Sequence, residues 1–175
     1  MTNAKEAVFK PAEVQTRKGR ALIVRAYKPA DLETLIEMYS RFEPKRVAQG
    51  LPPPDVPRIA RWLDQLQQKS YSLLAFESSK VVAHTVLCPI SQDEVEFTIF
   101  VLQDYREEGL GTMLSKMTLD WASDMRLSKV LLTTELSNYR AVGLFRKLGF
   151  DIKSCYGDEC EMKLDLFPGS EAQAA

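Results

Sequence analysis

The sequence is short of the residues that build metal centres. It holds one histidine, His84, and three cysteines among 175 residues. Structural zinc sites use closely spaced cysteine and histidine ligands, and no such spacing occurs, so we predict no metal site. A lone histidine in a predicted strand is more typical of a packed, hydrogen-bonded side chain than of a proton relay, the alternative. An odd cysteine count fits a reducing compartment and favours free thiols, with a redox pair of Cys155 and Cys160 across a hairpin as the alternative.

Long apolar runs and an excess of either charge are also missing. No stretch approaches the roughly 20 apolar residues of a membrane-spanning helix, and the N-terminus lacks the apolar core of a signal peptide. The 23 basic and 24 acidic residues give a formal net charge of −1, which argues against a broadly basic nucleic-acid surface. We therefore expect a cytoplasmic protein with no membrane and no nucleic-acid partner.

Strands and helices alternate over residues 20–167, a length that suits one domain and is short for two. Residues 1–19 are polar and weakly periodic and are predicted to be an arm or disordered, and residues 168–175 are predicted to be a disordered tail. Strands are predicted at residues 21–27, 71–77, 80–87, 94–102, 129–135, 150–154 and 160–167. Two helices after the first strand, one after the fourth and one after the fifth complete a mixed α/β or α+β domain.

The most informative stretch is the turn at residues 106–111, which joins a β-branched and aromatic strand to a helix opened by glycine. The first amides of a helix have no partner within it and lie at the positive end of its dipole, so they can hold a phosphate. Gly109 and Gly111 would let a phosphate approach the backbone, and Arg106 adds a cation. The pattern predicts a pyrophosphate cradle. A plain tight turn is the alternative, and Glu107 and Glu108 place negative charge beside the turn.

Residues 101–112 are VLQDYREEGLGT and resemble the acyl-CoA-binding motif of the GNAT superfamily of N-acyltransferases. That family carries a second signature farther along the chain, Asn-x-x-Ala-x-x-x-Tyr-x-x-x-Gly-Phe. Residues 138–150 are NYRAVGLFRKLGF and match it, except that Phe145 replaces the tyrosine. The resemblance covers residues 20–167 and implies one GNAT-like domain with a sandwich-like α+β fold. Its mixed, mostly antiparallel sheet would have seven strands, splayed between the fourth and fifth predicted strands, and about four helices.

The resemblance also implies an enzyme that moves an acetyl group from acetyl-CoA to a primary amine by direct attack, without a metal. Glu96 is the expected general base, with Glu94 on the same strand face as runner-up and a merely solvated carboxylate as the alternative. A backbone N–H near Phe100 or Val101 is the expected oxyanion donor. The expected cofactor-binding residues are Phe100, Val101, Arg106, Glu107, Glu108, Gly109, Leu110, Gly111, Thr112, Asn138 and Phe145.

Phe145 is the main departure from the family pattern. The usual tyrosine protonates the leaving thiolate, so Tyr139, Tyr156 or water would have to substitute for it. Phe145 also suits the core, because it lies on the apolar face of its predicted helix. A non-catalytic acyl-CoA-binding or sensor domain is therefore kept as an alternative function.

The acceptor implied by the resemblance is a small-molecule amine or a peptide or protein amine, and a homodimer is left open. In the family, the region that corresponds to the proline-rich residues 43–54 borders the acceptor site. These residues are interpreted either as a lid or as a rigid linker.

Overall fold

The structure, a computed structural model, describes residues 7–44 and 52–168. Most of the lid-or-linker segment at residues 43–54 and nearly all of the predicted tail at residues 168–175 lie outside the described residues.

One sheet organises the described chain, with strand order β1-β2-β3-β4-β5-β6-β8-β7. The strands are β1 (Ala12–Gln15), β2 (Ala21–Ala26), β3 (Tyr71–Glu77), β4 (Lys80–Pro89), β5 (Glu94–Val101), β6 (Lys129–Glu135), β7 (Asp151–Tyr156) and β8 (Glu159–Asp165). The helices are α1 (Leu32–Ser40), α2 (Val56–Gln67), α3 (Leu110–Asp124) and α4 (Tyr139–Lys147). Neighbouring strands are antiparallel, except that β5 and β6 are parallel. The predicted α+β class is confirmed.

The sheet has eight strands where the sequence predicted seven. The additional strand is β1, which lies within residues 1–19 and pairs with β2 from Ala12↔Val24 to Gln15↔Ala21. Ahead of β1, the ring of Phe9 packs edge-on against Trp121 of α3, with ring centroids 5.6 Å apart. A strand of four residues carries too little alternation to be recognised locally, so pairing with β2 decides its conformation.

The two faces of the sheet are covered by different helices. Phe100 of β5 contacts Tyr39 of α1 at 5.4 Å between ring centroids, so its face packs against the first two helices. Phe97 of the same strand contacts Phe145 of α4 at 6.1 Å, on the opposite face. This arrangement follows from strand alternation, because residues at odd and even positions point to opposite faces.

Strands β5 and β6 pair over a short distance and then separate. Their register runs only from Glu94↔Lys129 to Glu96↔Leu131. Beyond these residues β5 continues along β4 to Val101, and β6 continues along β8 to Glu135. The opening between β5 after Glu96 and β6 after Leu131 is called the wedge below. It confirms the predicted splay between the fourth and fifth predicted strands.

His84 is a packed side chain, as predicted. It is fully buried, with Nδ1 2.7 Å from the hydroxyl of Tyr39 and Nε2 3.0 Å from the hydroxyl of Ser72. Burial lowers the pKa of His84 to about 3, so the ring is neutral near pH 7. The histidine therefore links α1 to the sheet.

The expectation that Cys155 and Cys160 are free thiols is wrong. They form a disulfide between β7 and β8, with Cα atoms 4.1 Å apart, and Cys88 is free. The two cysteines are direct cross-strand partners, a geometry that cysteine counting does not reveal.

Within residues 7–44 and 52–168, no helix is long and apolar enough to cross a membrane. The same residues contain no group of three or more potential metal ligands.

Candidate active site

Helix α3 begins at the mouth of the wedge without a side-chain cap. The residue before the helix, Gly109, has a left-handed backbone with φ of 82°, and within residues 7–44 and 52–168 no side chain caps the amides that follow. A Cβ atom on Gly111 would meet only the Leu144 side chain, at 3.9 Å, so the backbone there is open to a ligand. The first turn of α3 thus keeps amides that a phosphate can use. In this turn the Leu110 side chain is buried and Thr112 is exposed.

Arg106 is held by backbone carbonyls beside this turn. Its Nε donates to the Val101 carbonyl at 2.9 Å, and a terminal nitrogen donates to the Glu43 carbonyl at 2.5 Å. The guanidinium also lies 5.2 Å from the centre of the Phe42 ring. Arg106 therefore ties the end of α1 to the end of β5 and keeps a positive charge near the turn.

The Glu108 side chain is an internal anchor. It is fully buried and accepts hydrogen bonds from Thr16 at 2.8 Å and Arg20 at 3.3 Å, with Lys18 at 3.6 Å. Burial by itself would raise the pKa of this carboxyl, but the Thr16 hydrogen bond and the two cations outweigh burial and lower the pKa. The side chain is thus committed to the β1–β2 turn. The Glu108 carbonyl is used by the same turn, because it accepts a hydrogen bond from the Arg17 N–H at 2.9 Å.

Glu107 differs from its neighbour. Its backbone is left-handed, with φ of 63°, and its exposed carboxylate forms an ion pair with Arg140 of α4. The two negative charges that weakened the cradle prediction are therefore both matched by cations. Those cations come from distant parts of the chain, so the motif alone could not reveal them.

An open cleft of about 650 Å³ lies beside the turn. It is lined by the β1–β2 hairpin, the turn before α3 and the first turn of α4, and it is called the cationic cleft below. Its residues are Lys18, Arg20, Gln103, Asp104, Tyr105, Arg106, Glu107 and Arg140. Four cations face two carboxylates there, which suits an anionic ligand. Sequence reasoning missed Lys18 because it lies in the segment predicted as an arm. It also missed Arg20, the first residue of the predicted domain, and Arg140, which lies within the second motif.

Glu96 stands where the wedge opens. It is exposed, it is the last β5 residue paired with β6, and its carboxylate makes no hydrogen bond or salt bridge within the described residues. Across the sheet it faces Cys88, whose thiol has a pKa raised by burial and by the charge of Glu96. Glu94, in contrast, is bound to Lys129 at 2.7 Å. The geometry therefore favours Glu96 over Glu94 as the carboxylate available for chemistry.

The backbone of β5 presents alternate amides to the wedge. The Leu102 N–H donates to Val82 on β4 at 3.0 Å. Because alternate N–H groups of a strand point the same way, the Phe100 amide also faces β4. The Val101 amide therefore faces the wedge. Of the two oxyanion donors expected from sequence, Val101 has the suitable orientation.

Asn138 and Phe145, on the β6 side of the wedge, both have structural roles. Asn138 caps α4, because its side-chain oxygen accepts a hydrogen bond from the Ala141 amide at 3.3 Å. Phe145 is 6% exposed and packs edge-on against Phe97 and Phe150. Their predicted contacts with a cofactor stay predictions.

Comparisons with known proteins agree with this geometry. The sequence model of the acetyltransferase (GNAT) family matches residues 32–150. Spermidine N(1)-acetyltransferase from Escherichia coli K12 is 32% identical over 59 residues, which are 33% of this chain and 32% of that enzyme. The chain therefore matches about a third of the length of this relative.

Two solved structures share the fold. The GNAT domain of PAT from S. lividans has a TM-score of 0.74 and 18% identity, covering 89% of this chain and 96% of that one. The protein yncA from Salmonella typhimurium, solved with its cofactor acetyl-CoA, has a TM-score of 0.69 and 18% identity, covering 88% and 99%. At these identities the likeness concerns the fold alone.

A sheet that opens between two parallel strands, beside an uncapped helix start that follows a glycine, defines a class of site suited to a phosphate-bearing ligand. Because the family match spans most of the domain, this chain belongs to the acetyltransferase (GNAT) family. The resemblance inferred from residues 101–112 and 138–150 is confirmed.

Proposed function

We propose that this protein is an acetyl-CoA-dependent N-acetyltransferase in which Glu96 takes the proton from a primary amine. The observation that carries the proposal is the unpaired Glu96 carboxylate at the point where β5 and β6 separate. The uncapped start of α3 lies at the other end of the same wedge. One opening therefore combines a base with amides suited to phosphate.

The residues present fit an acyl-CoA donor. Amides in the first turn of α3 would hold its pyrophosphate, and Gly111 leaves the backbone accessible. The Val101 amide, facing the wedge, would pair with the extended amide-rich arm or stabilise a developing oxyanion. When bound, acetyl-CoA supplies an acetyl group activated as a thioester.

The chemistry of the chain centres on one proton. An amine attacks only when neutral, and an exposed carboxylate within reach, directly or through water, can accept its proton. Glu96 has no competing cation among the described residues, whereas Glu94 is already neutralised by Lys129. Phe145 has no proton to give the leaving thiolate, which is a fairly good leaving group because its pKa is about 8.5.

The acceptor we propose is a cationic amine, with polyamines as the first class to test. The relative from Escherichia coli is named for spermidine. Glu135 and Glu159 are direct partners on β6 and β8, and Leu131 is the β6 partner of Glu96. Alternation along β6 therefore puts these carboxylates on the Glu96 side of the sheet, where they favour positive charge.

A cytoplasmic location and a homodimer remain part of the proposal.

Calorimetric titration and turnover test this function. We expect acetyl-CoA to bind, a truncated analogue lacking the pyrophosphate and nucleotide to bind far more weakly, and thiol release to occur with spermidine or another amine. Binding without turnover across an amine panel would favour the sensor alternative. No binding of either compound would refute the proposal.

A further inference from the structure

An exposed ion pair joins the two helix starts that border the wedge. Arg140, in the first turn of α4, contacts Glu107, which belongs to the turn that leads into α3. The side chains are 83% and 62% exposed, respectively, and both line the cationic cleft. The pair therefore lies at the surface, next to the amides proposed to hold the donor.

We propose that Arg140 is a further binding residue for a phosphate group of the acyl donor, and that Glu107 occupies this arginine until the donor binds. The inference rests on the proposed function and deepens it. A guanidinium binds phosphate through paired N–H donors, and a phosphate offers more charge and more acceptor oxygens than a carboxylate does. Binding would then exchange one anion for another on Arg140.

Arg140 is the cation of the cleft whose partner is easiest to exchange. Arg20 and Lys18 contact the buried Glu108 carboxylate at 3.3 Å and 3.6 Å, so moving them would leave a buried charge uncompensated. Arg106 is held by two backbone carbonyls. An exposed pair contributes little to stability, so opening it is easy by comparison.

The backbone of Glu107 supports the same interpretation. Its φ of 63° lies in the left-handed region, which a glycine adopts without strain and a glutamate does not. The side chain is thus carried at a conformational cost, and its carboxylate pairs with Arg140 of α4. The Glu107 carboxylate therefore competes for Arg140 and sets how readily the arginine can bind a phosphate.

The test measures the affinity for CoA by calorimetry at fixed ionic strength in four proteins: the full chain, Arg140→Gln, Glu107→Gln and the double variant. We expect Arg140→Gln to weaken binding about tenfold, the range for one charge-assisted contact. Glu107→Gln should tighten binding about two- to fivefold, the worth of an exposed pair. The double variant should match Arg140→Gln, because the competitor matters only while Arg140 is present. Thermal unfolding of all four proteins verifies that they fold.

Two results would overturn the inference. Unchanged affinity in Arg140→Gln would mean that the arginine does not touch the donor. Unchanged or weaker affinity in Glu107→Gln would mean that the carboxylate does not compete. Both are read only after the unmodified chain has bound CoA, because failure at that step refutes the proposed function instead.

A second ligand identifies the phosphate. If the Arg140→Gln effect disappears with dephospho-CoA, which lacks the 3′-phosphate, the contact is to that group. If the effect persists, the contact is to the pyrophosphate. Either result supports phosphate binding by Arg140, and Arg140→Lys should restore only part of the affinity because it lacks the planar pair of donors.

Discussion

On the β5 side of the wedge, α3 begins just after Gly109 and has no side-chain cap among the described residues, whereas on the β6 side Asn138 caps α4 through the Ala141 amide. The two helix starts border the same opening. The start of α3 has no side-chain cap within the described residues, and the start of α4 uses the Ala141 amide in its cap. Two predicted site residues also differ between the sides, because the Glu96 carboxylate is exposed on β5 and the Phe145 ring is buried in α4.

The two sides therefore have different expected roles, one in binding and reaction and the other in holding the shape of the wedge. The β5 side carries the proposed base, the wedge-facing amides and the open helix start. The β6 side supplies a wall whose position depends on a capped helix and on aromatic packing. We therefore expect substitutions on the β5 side to change binding or turnover with little loss of stability, and substitution of the capping residue Asn138 on the β6 side to do the reverse.

The largest effect is expected from Gly111→Trp, which would fill the space over the first amides of α3 and abolish CoA binding in calorimetry. Gly111→Ala is the matched control, because its Cβ would make only an ordinary contact with Leu144 at 3.9 Å. The control should keep both the fold and most of the affinity. If Gly111→Trp bound CoA as tightly as the unmodified chain, the pyrophosphate would not bind at this helix start.

Glu96→Gln should lower turnover by about 10²-fold or more while sparing CoA affinity, because an amide cannot accept the proton of the amine. The measurement is steady-state thiol release alongside a CoA titration. Glu94→Gln is the control on the same strand and should keep most activity, since Glu94 already binds Lys129. Full activity in Glu96→Gln would exclude Glu96 as the base.

Asn138→Ala should destabilise the protein by about 1 kcal/mol, the usual worth of a helix cap, in denaturant unfolding. Asn138→Asp, which keeps an accepting oxygen, should retain most of that stability. Normal stability in the Ala variant together with lost CoA binding would show that Asn138 acts on the ligand, and the contrast between the two sides would fail.

The smallest effect is expected from Phe145→Tyr. The ring packs between Phe97 and Phe150, so the added hydroxyl should leave CoA binding intact and raise turnover less than about tenfold, below the usual gain from a positioned acid. Stopped-flow or steady-state thiol release measures this change. An unchanged rate would mean that water or another side chain already protonates the thiolate.

The sequence predicted those parts of the site that depend on neighbouring residues. The strand, the glycine-opened turn and the helix after it are consecutive, so alternation and helix-start chemistry locate them. The splay was predicted through resemblance, because separation of β5 from β6 depends on where each strand finds its other partner. The resemblance already ranked Glu96 ahead of Glu94, and the structure supplies a physical reason, the contact of Glu94 with Lys129, 35 residues away along the chain.

The parts that could not be predicted depend on contacts between distant segments. The burial of Glu108 follows from Thr16, 92 residues away, and no local pattern marks that pairing. Arg106 suggested a phosphate ligand, but its contact with the Glu43 carbonyl spans 63 residues. The disulfide depends on the register of β7 and β8, which compartment arguments ignore.

The contacts of Glu108 have a practical consequence for anyone who shortens this protein. The first strand and its turn resemble a dispensable leader in the sequence, and trimming to residue 21 would look harmless. Such a truncation would remove Thr16, Lys18 and Arg20, which are the hydrogen-bond donor and both cations around a fully buried carboxylate. The carboxylate would then have to become protonated, or the turn would have to open and expose it to water. Loss of donor binding in a trimmed protein would therefore reflect the missing partners of Glu108. It would not show that the full chain lacks activity.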